Sequence, residues 1–387
     1  MDKTKNKEKP LYQYIDTPGG LTDLLDRLRP YKTIALDTEA DSFHHYQPKV
    51  CLIQLSFGTE TYIVDPLADI DISALLELLS DKELIIHDAG YDLRLLNADF
   101  GFIPRYVVYD TMLAAALAGM QKVGLIDVLH HVTGIKVAKH NQRADWSKRP
   151  LPDHLLSYAA EDTAWLVEIK EHLAQRLKEL GRTDWHTESC QAAVKAALTV
   201  KEAVDPDVQW RIKGAGKLSG KEMAFVRQIW TWRENIAKQT NIAPFMICHN
   251  EDILKLAVWG AKRKKTIDAD PQLPIRTRSQ YRNALLKALQ AAQSLPKNQW
   301  PTRRKSDPSK KLSEGTRKIV NALKTECENI ANELDLPLNL IASRSALTKI
   351  VIDRITTLEE IRKKNILLNW QASLLLGAIR KTLLTHK

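Results

Sequence analysis

Asp37 and Glu39 are the first residues of the chain whose types and spacing could do chemistry. They close the stretch TIALDTE (33–39), whose apolar run predicts a buried strand. Alternate side chains of a strand point to the same face, so the two carboxylates should stand side by side at the strand end. Each raises the free-energy cost of ionising the other. Taken alone, the pair also fits a surface strand end or a salt bridge.

Two more acidic residues lie on other predicted elements. Asp92 falls in the first turn of a helix that follows the strand ELIIHDA (83–89), and Asp162 falls in one long predicted helix (155–180). Tyr158 precedes Asp162 by four residues, so both side chains share one helix face. Taken singly, Asp92 could simply stabilise a helix N-terminus, and Tyr158 could simply be a core aromatic residue.

Four carboxylates that converge in one pocket need cations. Ligands that are all oxygen suit Mg²⁺ or Mn²⁺ and not zinc or copper. Two such ions about 4 Å apart can hold the attacking and the leaving oxygen of a phosphodiester displacement. The sequence therefore predicts a site for two divalent metal ions, Mg²⁺ or Mn²⁺, formed by Asp37, Glu39, Asp92 and Asp162.

The elements that must position these residues alternate between strand and helix patterns. Strands are predicted at 33–39, 50–57, 61–66, 83–89 and 106–111. The consecutive early strands indicate an antiparallel meander, and the later alternation indicates parallel strands with crossover helices. The first half is therefore predicted to be a mixed sheet with flanking helices.

The second half is predicted to be a tandem helical module. From about residue 190 the strand patterns fade, and stretches beginning at Leu218 and Leu312 align without gaps at a spacing of 94 residues. Both copies contain the sequence ENIA, at 234–237 and 328–331. We predict three domains, at 1–200, 210–295 and 312–387.

Charge is distributed unevenly along the chain. Residues 1–200 hold 22 Lys and Arg against 29 Asp and Glu, whereas residues 201–387 hold 35 against 18. A basic half is typical of a protein with a phosphate-rich partner, although a solvated basic surface would look the same. The clusters predicted to contact phosphates are 261–266, 276–282, 303–305 and 362–364.

Several classes of protein are disfavoured. Four dispersed cysteines without a CxxC pair (Cys51, Cys190, Cys248 and Cys327) fit a reducing compartment and disfavour zinc ribbons and disulfide frameworks. No apolar run reaches membrane-spanning length, and the basic N-terminus lacks the apolar core of a signal peptide. We predict a cytoplasmic protein with no membrane partner, and no protein partner can be inferred.

The motifs together resemble the DEDD superfamily of 3′→5′ exonucleases, and in particular the ribonuclease D family. The residues that carry the resemblance are Asp-Thr-Glu at 37–39, VCLIQLS at 50–56, H-x-x-x-x-D-L-x-x-L at 87–96 and ADWSKRPLPDHLLSYAAEDTAWL at 144–166. The helical repeat resembles the helicase-and-RNase-D C-terminal (HRDC) modules of that family. The resemblance implies an α/β ribonuclease H-like catalytic domain followed by two all-α HRDC-type bundles.

The resemblance also implies roles for the acidic residues. Tyr158 lies four residues before Asp162, which is the pattern of the tyrosine subclass. Asp37 would bridge both metals, Glu39 and Asp162 would complete the site of the metal that carries the attacking water, and Asp92 would serve the second metal. A phenol with a pKa near 10 is a poor base at neutral pH, so Tyr158 is expected to hold the water in line.

Substrate contacts are predicted beside these motifs. Aromatic rings at Phe43, Tyr46 and Tyr91 could stack on terminal bases, although core packing is an equally good interpretation of each. Further candidates are Thr38, Gln54 and His87, the last of which could also be a core histidine.

The expected activity is a 3′→5′ exoribonuclease that releases 5′-mononucleotides by two-metal hydrolysis. The resemblance implies 3′ maturation of tRNA precursors and other structured RNAs, with the single-stranded 3′ end as the substrate. Two alternatives stay open on the residues alone. One is a 3′→5′ exonuclease acting on DNA, and the other is a catalytically inactive nucleic-acid-binding scaffold.

Overall fold

The structure is a computed structural model that describes residues 11–135, 143–199, 205–264, 267, 273, 275, 278–303 and 312–386. By their packing, these residues form two units. The larger contains the described residues of 1–40, 50–199 and 312–387, and the smaller contains those of 41–49 and 200–311. The three predicted domain limits stay a prediction, since this division follows packing and not chain order.

A six-stranded mixed sheet forms the centre of the larger unit, with the strand order β1-β4-β3-β2-β5-β6. Its strands are β1 (Tyr12–Ile15), β2 (Thr33–Ala40), β3 (Val50–Phe57), β4 (Glu60–Val64), β5 (Glu83–Ile86) and β6 (Val108–Asp110). Strands β2, β3 and β4 form an antiparallel meander, β5 and β6 run parallel to β2, and β1 runs parallel to β4. The predicted mixed sheet is confirmed, with β1 as an additional edge strand.

Within the part of the chain that the structure describes, eight helices flank this sheet. They are α1 (Pro18–Leu28), α2 (Ser73–Ser80), α3 (Ala89–Phe100), α4 (Thr111–Leu117), α5 (Leu125–Thr133), α6 (Asp153–Ala164), α7 (Leu166–Glu179) and α8 (Thr183–Leu198). Alternation along the strands decides which helices cover which face. On β2, Ile34 and Leu36 pack with α1, α2 and α3, whereas Ala35 packs with α4, α5 and α7.

The single helix predicted over 155–180 is wrong, because the chain turns at Trp165 and forms α6 and α7 instead. The buried residues of α6 pack with β3 and β4 around Leu52 and Ile63. Those of α7 pack in a different cluster, with Ala35 and Ile85. One straight helix could not fill both clusters. Gly181, predicted as the stop, follows α7 with a positive φ of 66°.

The remaining helices form two sets, and three consecutive helices of one set recur in the other at a constant spacing. The smaller unit contains α9 (Pro206–Gln209), α10 (Gly220–Thr240), α11 (Pro244–Ile247), α12 (Asn250–Lys262) and α13 (Ser279–Ser294). The larger unit contains α14 (Glu314–Glu333), α15 (Leu338–Ile341), α16 (Arg344–Ile352), α17 (Leu358–Lys363) and α18 (Asn369–Thr385). Helices α10, α11 and α12 begin 94 residues before α14, α15 and α16, and Ser219 and Ser313 cap equivalent helices. We call these sets the first and the second bundle.

The second bundle shares a core with the helices that flank the sheet. The ring of Trp370 stacks on Trp185, with centroids 4.7 Å apart, and its indole N–H donates to Ser189 Oγ at 3.1 Å. The Arg182 guanidinium donates to the carbonyls of Leu117 and Leu334, at 2.7 and 2.9 Å. Trp370 is only 6% exposed, so this contact is a packed interior and not a surface touch.

In the smaller unit, the loop 41–49 packs against the first bundle. The backbone N–H of Ala243 donates to the carbonyl of His44 at 3.0 Å. Tyr46 packs against the apolar core of the first bundle and is hydrogen-bonded to Glu234.

The helices and the cysteines were also predicted to lack membrane spans and disulfide frameworks. No helix in the described ranges is long and apolar enough to cross a bilayer. All four cysteines are free and buried.

Candidate active site

The site begins where β2 runs past the end of β5. Strand β5 pairs with β2 only as far as Ala35, whereas Asp37 and Glu39 pair with β3 opposite Gln54 and Leu52. The two carboxylates therefore lie on one face of β2 beyond the carboxyl end of β5. The register shifts just after Glu39, where a bulge ends the regular pairing.

Asp162 reaches this pair from α6. One carboxylate oxygen from each of Asp37, Glu39 and Asp162 can be chosen so that all three lie within 4.8 Å of one another. The residue after Asp162 holds the helix to the sheet, because Thr163 Oγ1 is hydrogen-bonded to Ser56 Oγ at 2.7 Å. The predicted convergence of these three acids is present in the structure.

Asp92 approaches from the other face of the sheet. It lies in the first turn of α3 and is 5% exposed, and its carboxylate accepts a hydrogen bond from the Thr38 hydroxyl. The start of α3 is fixed in turn by Asp110, whose carboxylate accepts the backbone N–H groups of Asp88 and Ala89 at 3.3 and 3.0 Å. Asp92 thus joins the cluster as a fourth, separately held carboxylate.

Burial and mutual repulsion raise the pKa of every acid in the cluster. Burial, followed by the charges of Asp92, Asp162 and Glu39, raises the pKa of Asp37 well above its ordinary value. Burial and the charge of Asp162 do the same to the pKa of Glu39. Burial raises the pKa of both Asp92 and Asp162 to about 7. A bound cation would offset the repulsion among these acids and would favour their charged forms.

Tyr158 lies one helical turn before Asp162 on α6. Its half-buried ring stacks on Trp146, with centroids 6.2 Å apart. The segment that carries Trp146 is fixed by Arg149, whose guanidinium makes a two-pronged ion pair with Asp65 at 2.5 and 2.6 Å. Tyr14 donates to the same carboxylate at 2.5 Å. This network anchors the chain immediately before α6, and Thr163 anchors its far end.

Three of the predicted substrate contacts lie inside the fold. Thr38 is 7% exposed and bonded to Asp92, and Gln54 is fully buried at 0% exposure. Neither amide atom of Gln54 has a hydrogen-bond partner among the described residues. His87 is hydrogen-bonded to Thr111 at 2.9 Å, and burial lowers its pKa to about 4, so the imidazole is neutral at physiological pH.

The other three predicted contacts are aromatic and differ in exposure. Tyr91 is 43% exposed, directly beside Asp92 at the start of α3. Phe43 is 44% exposed, on the loop that follows β2. Tyr46 lies on the same loop but packs against the first bundle. All six assignments stay predictions.

The sequence reasoning missed the residues that hold the ligands in place. Asp110 also caps α4 by accepting the N–H groups of Met112 and Leu113 at 2.9 and 3.1 Å. An Asp directly before an apolar helical run is a helix-start pattern, so this part of its role could have been found. The Asp65–Arg149 pair spans 84 residues and leaves no local pattern.

The chemical type of these side chains determines which ion the site could bind. Within the described residues, Asp37, Glu39 and Asp162 form the group of carboxylates close enough to share an ion. Oxygen ligands with raised proton affinity suit a hard divalent cation. The cluster therefore has the donor chemistry that a divalent cation requires, with Asp92 beside it.

Comparison with known proteins places this geometry in a family. Residues 12–178 match the family model for a 3′-5′ exonuclease, and residues 222–289 match the HRDC domain. Ribonuclease D of Granulibacter bethesdensis is 30% identical over 351 residues, covering 86% of this chain and 86% of that protein. Ribonuclease D of Gluconacetobacter diazotrophicus is 29% identical over 365 residues, covering 91% and 89%.

A solved structure shows the same fold. The crystal structure of Escherichia coli RNase D, described as an exoribonuclease involved in structured RNA processing, superposes with a TM-score of 0.68 at 24% identity. The match covers 97% of this chain and 99% of that chain. The chain belongs to the ribonuclease D family and is a 3′→5′ exoribonuclease.

Proposed function

We propose that this exoribonuclease trims structured RNAs, tRNA precursors among them, from a single-stranded 3′ end with the help of two Mg²⁺ ions. The observation that carries the proposal is the convergence of Asp37, Glu39 and Asp162 within 4.8 Å, beside the separately held Asp92. The relatives named above are ribonucleases D, and the structured RNA named for the Escherichia coli enzyme supports the substrate class.

The four carboxylates are assigned to two metal positions. Asp37, Glu39 and Asp162 would hold one metal, and Asp37 with Asp92 would hold the other. When bound, two divalent ions supply an activated water and neutralise charge on the scissile phosphate. Thr38 keeps the Asp92 carboxylate oriented through its hydrogen bond.

Tyr158 is assigned to orient the attacking water. Its side chain shares one face of α6 with that of Asp162, and a phenol is too weak a base to remove a proton at neutral pH. The stacked Trp146 and the Asp65–Arg149 pair hold the ring in place. The tyrosine would therefore position the water, whose proton would pass to bulk solvent once a bound metal lowers the pKa of that water.

RNA binding is assigned mainly to the first bundle. Residues 200–311 hold 23 Lys and Arg against 10 Asp and Glu, which suits a phosphate backbone. Of the predicted phosphate contacts, residues 265, 266, 276, 277, 304 and 305 lie outside the described residues. The cytoplasmic location stays a prediction from the cysteine pattern.

Hydrolysis of matched RNA and DNA strands tests the proposal. We expect 5′-labelled RNA to shorten from its 3′ end with Mg²⁺, to release 5′-mononucleotides, and to outpace DNA of the same sequence. A tRNA precursor with a 3′ extension should be trimmed towards its stem. Equal rates on DNA would favour the DNA exonuclease, and an inert wild type would favour the scaffold.

A matched pair of variants tests the ligand assignment. Asp162→Asn should abolish trimming and remove at least one Mn²⁺ site in calorimetry. Glu171→Gln, an exposed carboxylate change on α7, should alter neither. A single Mn²⁺ bound by the wild type, with full activity, would contradict the two-metal assignment.

A further inference from the structure

Gln54 is a polar side chain that is buried beside the acidic cluster. It lies on β3 with 0% of its surface exposed, and neither its amide oxygen nor its amide nitrogen has a hydrogen-bond partner among the described residues. A buried amide without a partner costs free energy, because the group gives up its hydrogen bonds to water on folding. Such a group calls for a physical explanation.

Gln54 points to the same side of the sheet as two of the clustered carboxylates. In the antiparallel pairing of β2 with β3, Gln54 is directly opposite Asp37, and Leu52 is opposite Glu39. Residues that are directly opposite each other share one face of the sheet, with Cβ atoms about 4.5–5.5 Å apart. A glutamine carries its amide one methylene group beyond Cβ. Rotation of the side chain can therefore bring an amide N–H of Gln54 within hydrogen-bonding distance of the Asp37 carboxylate.

Two of the other neighbours of Gln54 on this face are apolar. Leu52 lies two residues before it on β3, and Ile63 is opposite it on β4. Both pack in the hydrophobic cluster that contains the buried residues of α6. Helix α6 therefore covers this part of the sheet, and the hydrocarbon side chains there cannot accept a hydrogen bond from the amide.

The remaining strand neighbour, Ser56, already has hydrogen-bond partners. Its hydroxyl is bonded to Thr61 Oγ1 at 2.9 Å and to Thr163 Oγ1 at 2.7 Å. Among the residues next to Gln54 on β2, β3 and β4, Asp37 is therefore the acceptor that remains. An ionised carboxylate can accept about four hydrogen bonds, so Asp37 could hold a metal and still accept an amide N–H.

We propose that Gln54 is a positioning residue that donates an amide N–H to the Asp37 carboxylate when that carboxylate holds a divalent metal. The inference rests on the proposed function and adds a residue to it. A hydrogen bond to a charged acceptor is stronger than one between neutral groups. It would favour the ionised carboxylate and fix its orientation, as outer partners of metal ligands do. The neutral amide adds no charge to a cluster that is already acidic.

This role differs from the direct RNA contact predicted for Gln54. The amide exposes no surface and lies under α6, so an RNA strand could reach it only if the helix moved away. Donation to Asp37 needs rotation of one side chain and no movement of the helix. Burial therefore favours a role that acts through the metal ligand.

The variant Gln54→Met tests the inference, because it removes both polar atoms and keeps a side chain of similar length. We expect Mn²⁺ binding in calorimetry to weaken about 10- to 100-fold, and kcat at one fixed Mg²⁺ concentration to fall in the same range. KM for RNA should stay unchanged. The thermal unfolding temperature without metal should not fall, because the variant removes an unpaired buried amide. Gln175→Met, at an exposed site on α7, should change none of these values.

A measurement on the wild type does not depend on whether a variant folds. When Mg²⁺ is added, one side-chain amide proton of Gln54 should move downfield in the NMR spectrum, because a proton donated to a charged acceptor is deshielded. The side-chain amide protons of Gln175 should not move. A Gln54 signal that Mg²⁺ leaves unchanged would overturn the inference.

The competing roles of Gln54 give different results. A raised KM for Gln54→Met at wild-type Mn²⁺ affinity would show that the side chain contacts RNA. A lowered unfolding temperature without metal, again at wild-type Mn²⁺ affinity, would show that it only packs. Either result overturns the inference and leaves the proposed function standing, provided that the wild type trims RNA. A wild type that neither binds Mn²⁺ nor trims RNA would overturn the proposed function itself, and the inference with it.

Discussion

The two bundles share one succession of helices and differ in surface charge. Residues 200–311, which include the first bundle, hold 23 Lys and Arg against 10 Asp and Glu, and residues 312–387 hold 12 against 8. Four lysines of the second bundle also form ion pairs within it. These pairs are Lys318–Glu314, Lys324–Glu328, Lys364–Asp353 and Lys381–Glu326.

The bundles also differ at one equivalent apolar position. Leu340 of the second bundle packs into the cluster that contains α4, α5 and α7. Its counterpart 94 residues earlier is Met246, which is 40% exposed. One copy of the repeat has thus become part of a hydrophobic core, while the other carries the basic excess. We infer that two copies of one helical module have different roles. The second bundle is a structural support, and the first is a binding surface.

Removal of Trp370 should produce the largest stability effect and would test the second bundle as a structural support. Trp370→Ala removes the ring stacked on Trp185 and the bond to Ser189, and should cost about 3–5 kcal/mol of unfolding free energy. Urea unfolding measures this. Trp185→Ala and the double variant should show strong non-additivity, since the two rings contact each other. Additive effects would contradict a shared core.

How much the sequence reveals depends on how local each signal is. The convergence of Asp37, Glu39 and Asp162 could be predicted because strand alternation and helical spacing are properties of a few neighbouring residues, and the role of Tyr158 stays a prediction. The break at Trp165 could not be predicted from the sequence. It arises because the two halves of the predicted helix pack into two different hydrophobic clusters. The docking of Trp370 against Trp185 joins residues far apart in the chain, and the repeat alone gives no reason for one copy to dock.

The acidic cluster of the larger unit contrasts with the excess of cations in the first bundle, and the dependence of the unfolding free energy on pH should report on these acids. Because the pKa values of Asp92 and Asp162 rise from 3.8 to about 7 on folding, the folded site binds more protons than the unfolded chain between those values. The unfolding free energy of metal-free protein should therefore fall as pH rises from about 4 to about 7. Mg²⁺ should restore it.

Asp162→Asn sharpens this pH test. It should stabilise metal-free protein at pH 8 by on the order of 2 kcal/mol, because one repelling charge is removed, and should have little effect at pH 4. Glu171→Gln serves as the control. Thermal unfolding across pH measures both variants. Destabilisation by Asp162→Asn at pH 8 without metal would show that repulsion does not dominate the site.

Leu340→Ala and Met246→Ala form a matched pair at the equivalent position of the two bundles. Leu340→Ala should cost about 2 kcal/mol, because it removes packed side-chain volume. Met246→Ala should stay within about 0.5 kcal/mol, as expected for an exposed site. Urea unfolding compares them under one condition. Equal costs would remove the distinction drawn between the bundles.

Charge neutralisation should give the smallest effect. Lys262→Gln with Lys264→Gln in the first bundle should lower the slope of log affinity against log salt by about 0.7 per lost phosphate contact with single-stranded RNA. Lys318→Gln with Lys324→Gln in the second bundle should leave it unchanged, since both lysines already have acidic partners. Equal changes in slope would assign RNA binding to both bundles.

The central claim is that acids from three separate segments create one metal-dependent hydrolytic site. The most direct measurement compares wild type and Asp37→Asn on 5′-labelled RNA with Mg²⁺. We predict 3′ shortening by the wild type and a loss of more than about 100-fold in the variant, since even outer partners of metal ligands cost about 10- to 100-fold. RNA affinity should be unchanged. Trimming by Asp37→Asn at the wild-type rate would contradict the account.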